Sequence, residues 1–158
     1  MFHKEFFAKL RTFKELEYMD VEDVAMLRLL GLPLKKYNDF TFTLETLNLP
    51  LSQAKFCIVD IETNGSKPEH SQIIEIGAVM VQDGKELGRF SSLVYCEELP
   101  EVIENLTGIT LEELLKAPSL KSVLEQFRLF LGDAIFVAHN VNFDYYFISY
   151  AMQKAGFG

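Results

Sequence analysis

Cysteine is scarce in this sequence, and its scarcity narrows the options. Only Cys57 and Cys96 occur, with neither the spacing of a metal-ligand set nor a disulfide framework around them. They read as reduced, half-buried thiols of a cytoplasmic protein. Long apolar runs are missing too: each breaks off within a few residues, which excludes a helical membrane span. The opening MFHKEFFAKLRTFKELEYMD mixes charges throughout and has no apolar signal-peptide core. Positive charge is in deficit, with a formal net charge of −8. Residues 1–54 hold 7 basic and 8 acidic side chains, whereas residues 55–158 hold 8 basic and 15 acidic. No general basic patch advertises a nucleic-acid binder. An acidic half still handles phosphates where its carboxylates hold divalent cations, because the ions reverse the local field. No internal repeat or low-complexity tract is present.

What the sequence does contain is apolar residues, 49% of the total, with 14 phenylalanines. A chain of 158 residues so composed suits one good-sized domain, or one domain with an appendage. Phe2, Phe6, Leu10, Phe13 and Leu16 recur at helical spacing, predicting a helix over 2–18. A second helix is expected between Asp20 and Gly31, and a short strand where Phe40, Phe42 and Leu44 alternate. Lys35, Lys36 and Tyr37 read as a solvated corner. LNLPLSQ marks the boundary, giving a small, mostly helical appendage over 1–54 and a second domain over 55–158. The appendage is assigned a docking role.

From Lys55 the pattern becomes α/β. KFCIVDIE reads as a strand, and the stretch from Ile73 to Tyr95 as a hairpin about Asp83-Gly84. Short helical pieces follow, broken at LTGIT, then a helix opened by Pro118 and Ser119 with Leu120, Val123, Leu124, Phe127 and Leu131 on one face. AIFVAH is a further strand, and Asn142 to Lys154 a final helix. The order implies a mixed sheet with helices.

CIVDIETNG is the informative stretch. Residues two apart on a strand share a face, so Asp60 and Glu62 project side by side, their backbones roughly 6–7 Å apart. Like charges so placed raise each other's pKa unless a cation separates them. Either the acids are solvated at a strand end or an ion is bound there. AHNVNFDYYF then sets Asp144 early in a helix, where it favours the helix dipole or serves as a third carboxylate aimed at the strand end.

The set VDIETNG, IIEIGAV, LTGIT and HNVNFD resembles the DEDD superfamily of 3′–5′ exonucleases, in this order from Lys55 onward, and within it the proofreading epsilon-subunit family of bacterial DNA polymerase III. The resemblance implies a ribonuclease H-like fold, incomplete at the C-terminus, and hydrolysis of the last phosphodiester at a single-stranded or frayed DNA 3′ end. It implies Asp60, Glu62 and Asp144 as catalytic metal ligands for two divalent cations, Mg²⁺ or Mn²⁺. Thr63, Thr107 and Gly108 would line the substrate groove, and replicative polymerase subunits would be partners. His139 falls in the second motif, where a structural role in the loop is expected, and Glu75 in IIEIG is left as a polar residue on a solvated strand face. The family's fourth carboxylate and general-base histidine belong to a later segment of the form His-x-Ala-x-x-Asp. The 158 residues lack it, so weak or no activity is expected of this form. The alternatives are an RNA-trimming or repair-associated member of the superfamily, or a non-catalytic interaction module with this fold.

Overall fold

The structure is a computed structural model that describes residues 34–38 and 41–157. The helices expected over 2–18 and 20–31 lie outside the described residues, as do the side chains of Lys36, Tyr37 and Phe42. The chain divides into two units, Met1–Ala54 and Lys55–Gly158.

In the first unit, strands β1 (Leu34–Asn38) and β2 (Thr41–Leu44) pair antiparallel, with Leu34 opposite Leu44, and a 3₁₀ turn follows at Glu45–Asn48. The strand expected around Phe42 is therefore present. The one through Lys35-Lys36 was read as a corner because two adjacent lysines hide any alternation of apolar and polar residues.

The second unit is built on a four-stranded mixed sheet of order β5-β4-β3-β6. Strand β3 (Lys55–Thr63) lies between antiparallel β4 (Ile73–Gln82) and parallel β6 (Ile135–Val137), and β5 (Lys85–Leu93) closes the far edge. The β4–β5 connection is the expected two-residue hairpin. Asp83 and Gly84 both take positive φ, 50° and 70°, which matches the twist of the strands it joins.

Helices α1 (Glu101–Thr107) and α2 (Leu111–Leu114) fill the connection before α3 (Leu120–Leu131), and α4 (Val141–Lys154) follows β6. Gly108 ends α1 at φ 75°, a left-handed position that glycine takes without penalty. Thr110 and Glu113 form a reciprocal capping box at the start of α2.

Alternation along β3 sets the architecture. Cys57, Val59 and Ile61 point into the core with Ile76, Ala78 and Met80 of β4. Against them pack Val123, Leu124 and Phe127 of α3, on the predicted face, and Phe147, Ile148 and Ala151 of α4. A bulge in β4 after the Glu62–Glu75 pair breaks the alternation: Ile73 joins this core while Ile74 joins a smaller cluster with Cys96, Ile109 and Leu114. No helix among the described residues is long and apolar enough to cross a membrane.

Candidate active site

Because Cys57, Val59 and Ile61 take the inward face of β3, Ile58, Asp60 and Glu62 take the other. Ile58 is 48% exposed, so this part of the sheet faces outward, and Asp60 is exposed with Glu62 half-buried beside it. The two acids thus share one face, as their spacing demands. Across the strand pair, Asp60 lies opposite Gly77, a residue with no side chain, and this leaves the space over Asp60 open. Glu62 lies opposite Glu75. Burial pushes the Glu62 carboxyl above its ordinary range, and the negative charges of Asp60 and Glu75 push in the same direction.

Asp144 arrives from the helical layer. It is buried in the first turn of α4, 5% exposed, with Phe143, Tyr145, Tyr146 and Phe147 next to it in the sequence. Burial raises its carboxyl; its own peptide N–H and that of Ile61, both nearby, oppose that rise, and Asp60 adds a further upward push. The place of Ile61 beside it has a topological cause. Strand β6 pairs with β3 only as far as Ile58, so beyond that point this edge of β3 is not covered by β6. Asp144 covers that edge next to Asp60. His139, in the loop between β6 and α4, is exposed, and its charge is a minor downward pull on Asp144.

Asp60, Glu62 and Asp144 are therefore brought to one end of β3, but from two sides of the sheet. Among the described residues no group of three His, Cys, Asp or Glu side chains stands close enough to hold a single ion. The donor set suits hard divalent cations, which take oxygen ligands and retain several waters. Its mutual repulsion is what such a cation relieves. The carboxylates fit a magnesium-type ion in donor chemistry and charge, without being clasped in advance.

The remaining sequence-derived residues have structural work to do. The Thr63 hydroxyl donates to the Gly65 carbonyl at 2.7 Å, closing the turn after β3. The Thr107 hydroxyl donates to the Ile103 carbonyl at 2.9 Å and accepts from the Ile109 N–H at 3.2 Å, and Gly108 is the helix cap. Sequence reading missed Asn64. Its Nδ2 donates to the Glu98 carbonyl at 3.1 Å and its Oδ1 accepts from the Gln72 N–H at 2.8 Å, tying the turn after β3 to both neighbouring segments. A turn signal was visible at Thr63-Asn64-Gly65, but partners 8 and 34 residues away were not. The Tyr146 hydroxyl donates to Glu69, fastening the same loop to α4. A cleft of about 570 Å³ opens there, lined by Asn64, Glu69, His70, Gln72, Tyr95 and Glu97 among others, but not by Asp60, Glu62 or Asp144.

With this geometry in view, the comparisons with known proteins are specific. Residues 57–158 match the RNase_T family, described as exonuclease. The chain is 43% identical over 109 residues to a PolC-type DNA polymerase III of Staphylococcus haemolyticus, covering 68% of this chain and 8% of that protein. A PolC-type DNA polymerase III of Halalkalibacterium halodurans is 39% identical over 112 residues, with 70% and 8% covered. The chain thus spans under a tenth of the relatives it matches. Among solved structures, apo exonuclease I superposes with a TM-score of 0.59 at 18% identity, covering 65% of this chain and 25% of that one. E. coli exonuclease I in complex with a dT13 oligonucleotide gives the same TM-score over 65% and 24%. At that identity the likeness shows the fold, a ribonuclease H-like mixed sheet flanked by helices. The family match spans well over half of the residues, and the chain belongs to the exonuclease family.

Proposed function

We propose that this chain belongs to a metal-dependent 3′–5′ exonuclease domain that removes nucleotides from single-stranded or frayed DNA ends, in the service of proofreading by a replicative polymerase, and that these 158 residues by themselves are weakly active or inactive. The observation that supports it most is the buried Asp144 carboxylate, near the Ile61 N–H and within electrostatic reach of Asp60, which sets a third acid beside the edge of β3. PolC-type relatives favour the polymerase context, and the oligonucleotide-bound exonuclease I structures favour a DNA strand as substrate. The cytoplasm and a DNA terminus, with no membrane, are the setting this reading requires.

In this reading Asp60, Glu62 and Asp144 hold two divalent cations, Mg²⁺ or Mn²⁺. When bound, such ions activate the attacking water and neutralise charge on the leaving 3′-oxygen. Asp60, on the open face opposite Gly77, would hold the ions together with Glu62 and Asp144. Thr63, Thr107 and Gly108 are assigned to the substrate groove. Since both hydroxyls already bond to backbone, their contribution there is to fix the shape of two loops rather than to offer free donors. The 1–54 unit is assigned to docking, toward the nuclease domain or the polymerase.

The test pairs two measurements on the purified chain. A 5′-labelled single-stranded DNA is incubated with Mn²⁺, alongside an RNA of the same sequence, and thermal stability is followed as Mn²⁺ is titrated. A Mn²⁺-dependent rise in Tm and at most weak shortening of the DNA from its 3′ end, both lost in Asp60→Ala, are expected. Shortening that persists in Asp60→Ala, or an RNA trimmed in preference to DNA, would overturn the reading.

A further inference from the structure

Glu75 has no task in the chemistry just described, yet its position is unusual. It lies directly opposite Glu62 in the β3–β4 register. Side chains so opposed have Cβ atoms roughly 4.5–5.5 Å apart, and like charges there destabilise the sheet. On its other side stands Leu93 of β5, and Glu75 is half-buried between the two. Its charge therefore cannot withdraw fully into water.

Nor can the strands slip to separate the pair. A one-residue shift would turn every β4 side chain to the opposite face. The bulge next to the pair sends Ile73 and Ile74, both fully buried, into different clusters, which pins β4 in place. The arrangement thus enforces three negative charges, Asp60, Glu62 and Glu75, on one outward face, with Gly77 leaving a gap among them.

We infer that Glu75 is a positioning residue for the cation site: its charge keeps Glu62 from settling across onto β4 and deepens the negative potential that draws a divalent ion to Glu62 and Asp60. This rests on the proposed metal-dependent reading. It explains why a repulsive pair stands where nothing else in the fold needs it.

The test is a calorimetric Mn²⁺ titration of the whole chain and of Glu75→Gln, Glu75→Thr and Glu75→Asp, at low and at high salt. A charge a few ångströms from a partly exposed site is worth about a three- to tenfold change in affinity. Both neutral variants are expected to bind Mn²⁺ that much more weakly, with the gap shrinking at high salt as screening sets in. Glu75→Asp is expected to recover most of the loss, and the ion-free Tm of Glu75→Gln to equal or exceed that of the parent. A purely packing role would lower that Tm and would not respond to salt. Equal Mn²⁺ affinity in parent and neutral variants overturns this inference alone. Absence of Mn²⁺ binding in the parent overturns the metal-dependent reading with it.

Discussion

Asp144, on the first turn of α4, lies near the peptide N–H of Ile61, three residues beyond the last β3 residue that pairs with β6, and that N–H favours its charged form. One side chain thus stands beside the uncovered edge of the strand while carrying a charge into a buried place. The two roles separate by mutation. Asp144→Ala takes the nearby carboxylate away from the Ile61 N–H and opens a small gap, a loss of up to about 1–3 kcal/mol. Asp144→Asn keeps an acceptor and removes the charge. Because burial raises the carboxyl above its ordinary value of 3.8, the ionised form is disfavoured in the fold. That penalty is absent in acid, grows as pH climbs from 3.8 toward the raised value, and is complete above it. In chelator near neutral pH, Asp144→Asn should therefore melt at or above the parent temperature and Asp144→Ala several degrees below it. With Mn²⁺ added, neither variant should follow the parent's rise. Identical melting of the two variants would count against any contribution of the Asp144 side-chain oxygen at the Ile61 N–H.

The legibility of this site in the sequence follows from how local each feature is. Period-two alternation in KFCIVDIE placed Asp60 and Glu62 on one face, and the helix stripe from Leu120 to Leu131 gave the core face of α3, because both patterns are set by residues a few positions apart. The Glu62–Glu75 opposition was not readable, since it depends on strand register and on a bulge. The approach of Asp144 to Ile61 depends on where β6 stops, which no pattern near either residue records. Thr63 and Thr107 were visible as residues, but their hydroxyl partners were not.

Phe127 and Leu129 make a contrast within one helix. Phe127 is fully buried, its ring 5.7 Å from that of Phe90, whereas Leu129 is 78% exposed. Phe127→Ala removes a large core side chain and should cost about 3–5 kcal/mol. Leu129→Ala should stay within about 0.5 kcal/mol of the parent. Urea denaturation of both measures the difference, and similar midpoints would contradict the packing described for α3.

Asn64 joins the turn after β3 to Gln72 and Glu98, close to the acid pair. Its Nδ2 also approaches the Cys96 sulfur at 3.4 Å. Removing these bonds in Asn64→Ala should cost on the order of 2 kcal/mol, at about 1 kcal/mol for each full-strength bond. The sharper readout is local. The Gln72 amide, which donates to Asn64 Oδ1, should exchange with solvent much faster in the variant, while amides in the middle of β3 keep their protection. Unchanged exchange at Gln72 would sink this account of the loop.

Cys57 lies fully buried on the inward face of β3, and burial alone raises its thiol from 9.0 to about 11. In the folded chain it should resist thiol reagents at mildly alkaline pH, since it is neither exposed nor ionised there. Unfolded, it returns to the ordinary value and reacts. The linkage has a definite sign: a thiol whose folded value lies above its unfolded one stabilises nothing extra in acid and costs stability as pH climbs between the two. The parent should therefore lose stability from pH 9.0 to about 11, and Cys57→Ala, weaker at neutral pH through the cavity it leaves, should lose less over that window. Thiol labelling with and without denaturant, beside melting curves across that range, checks both halves. Rapid labelling of Cys57 in the native protein would mean that the β3–α4 core opens far more readily than its packing allows.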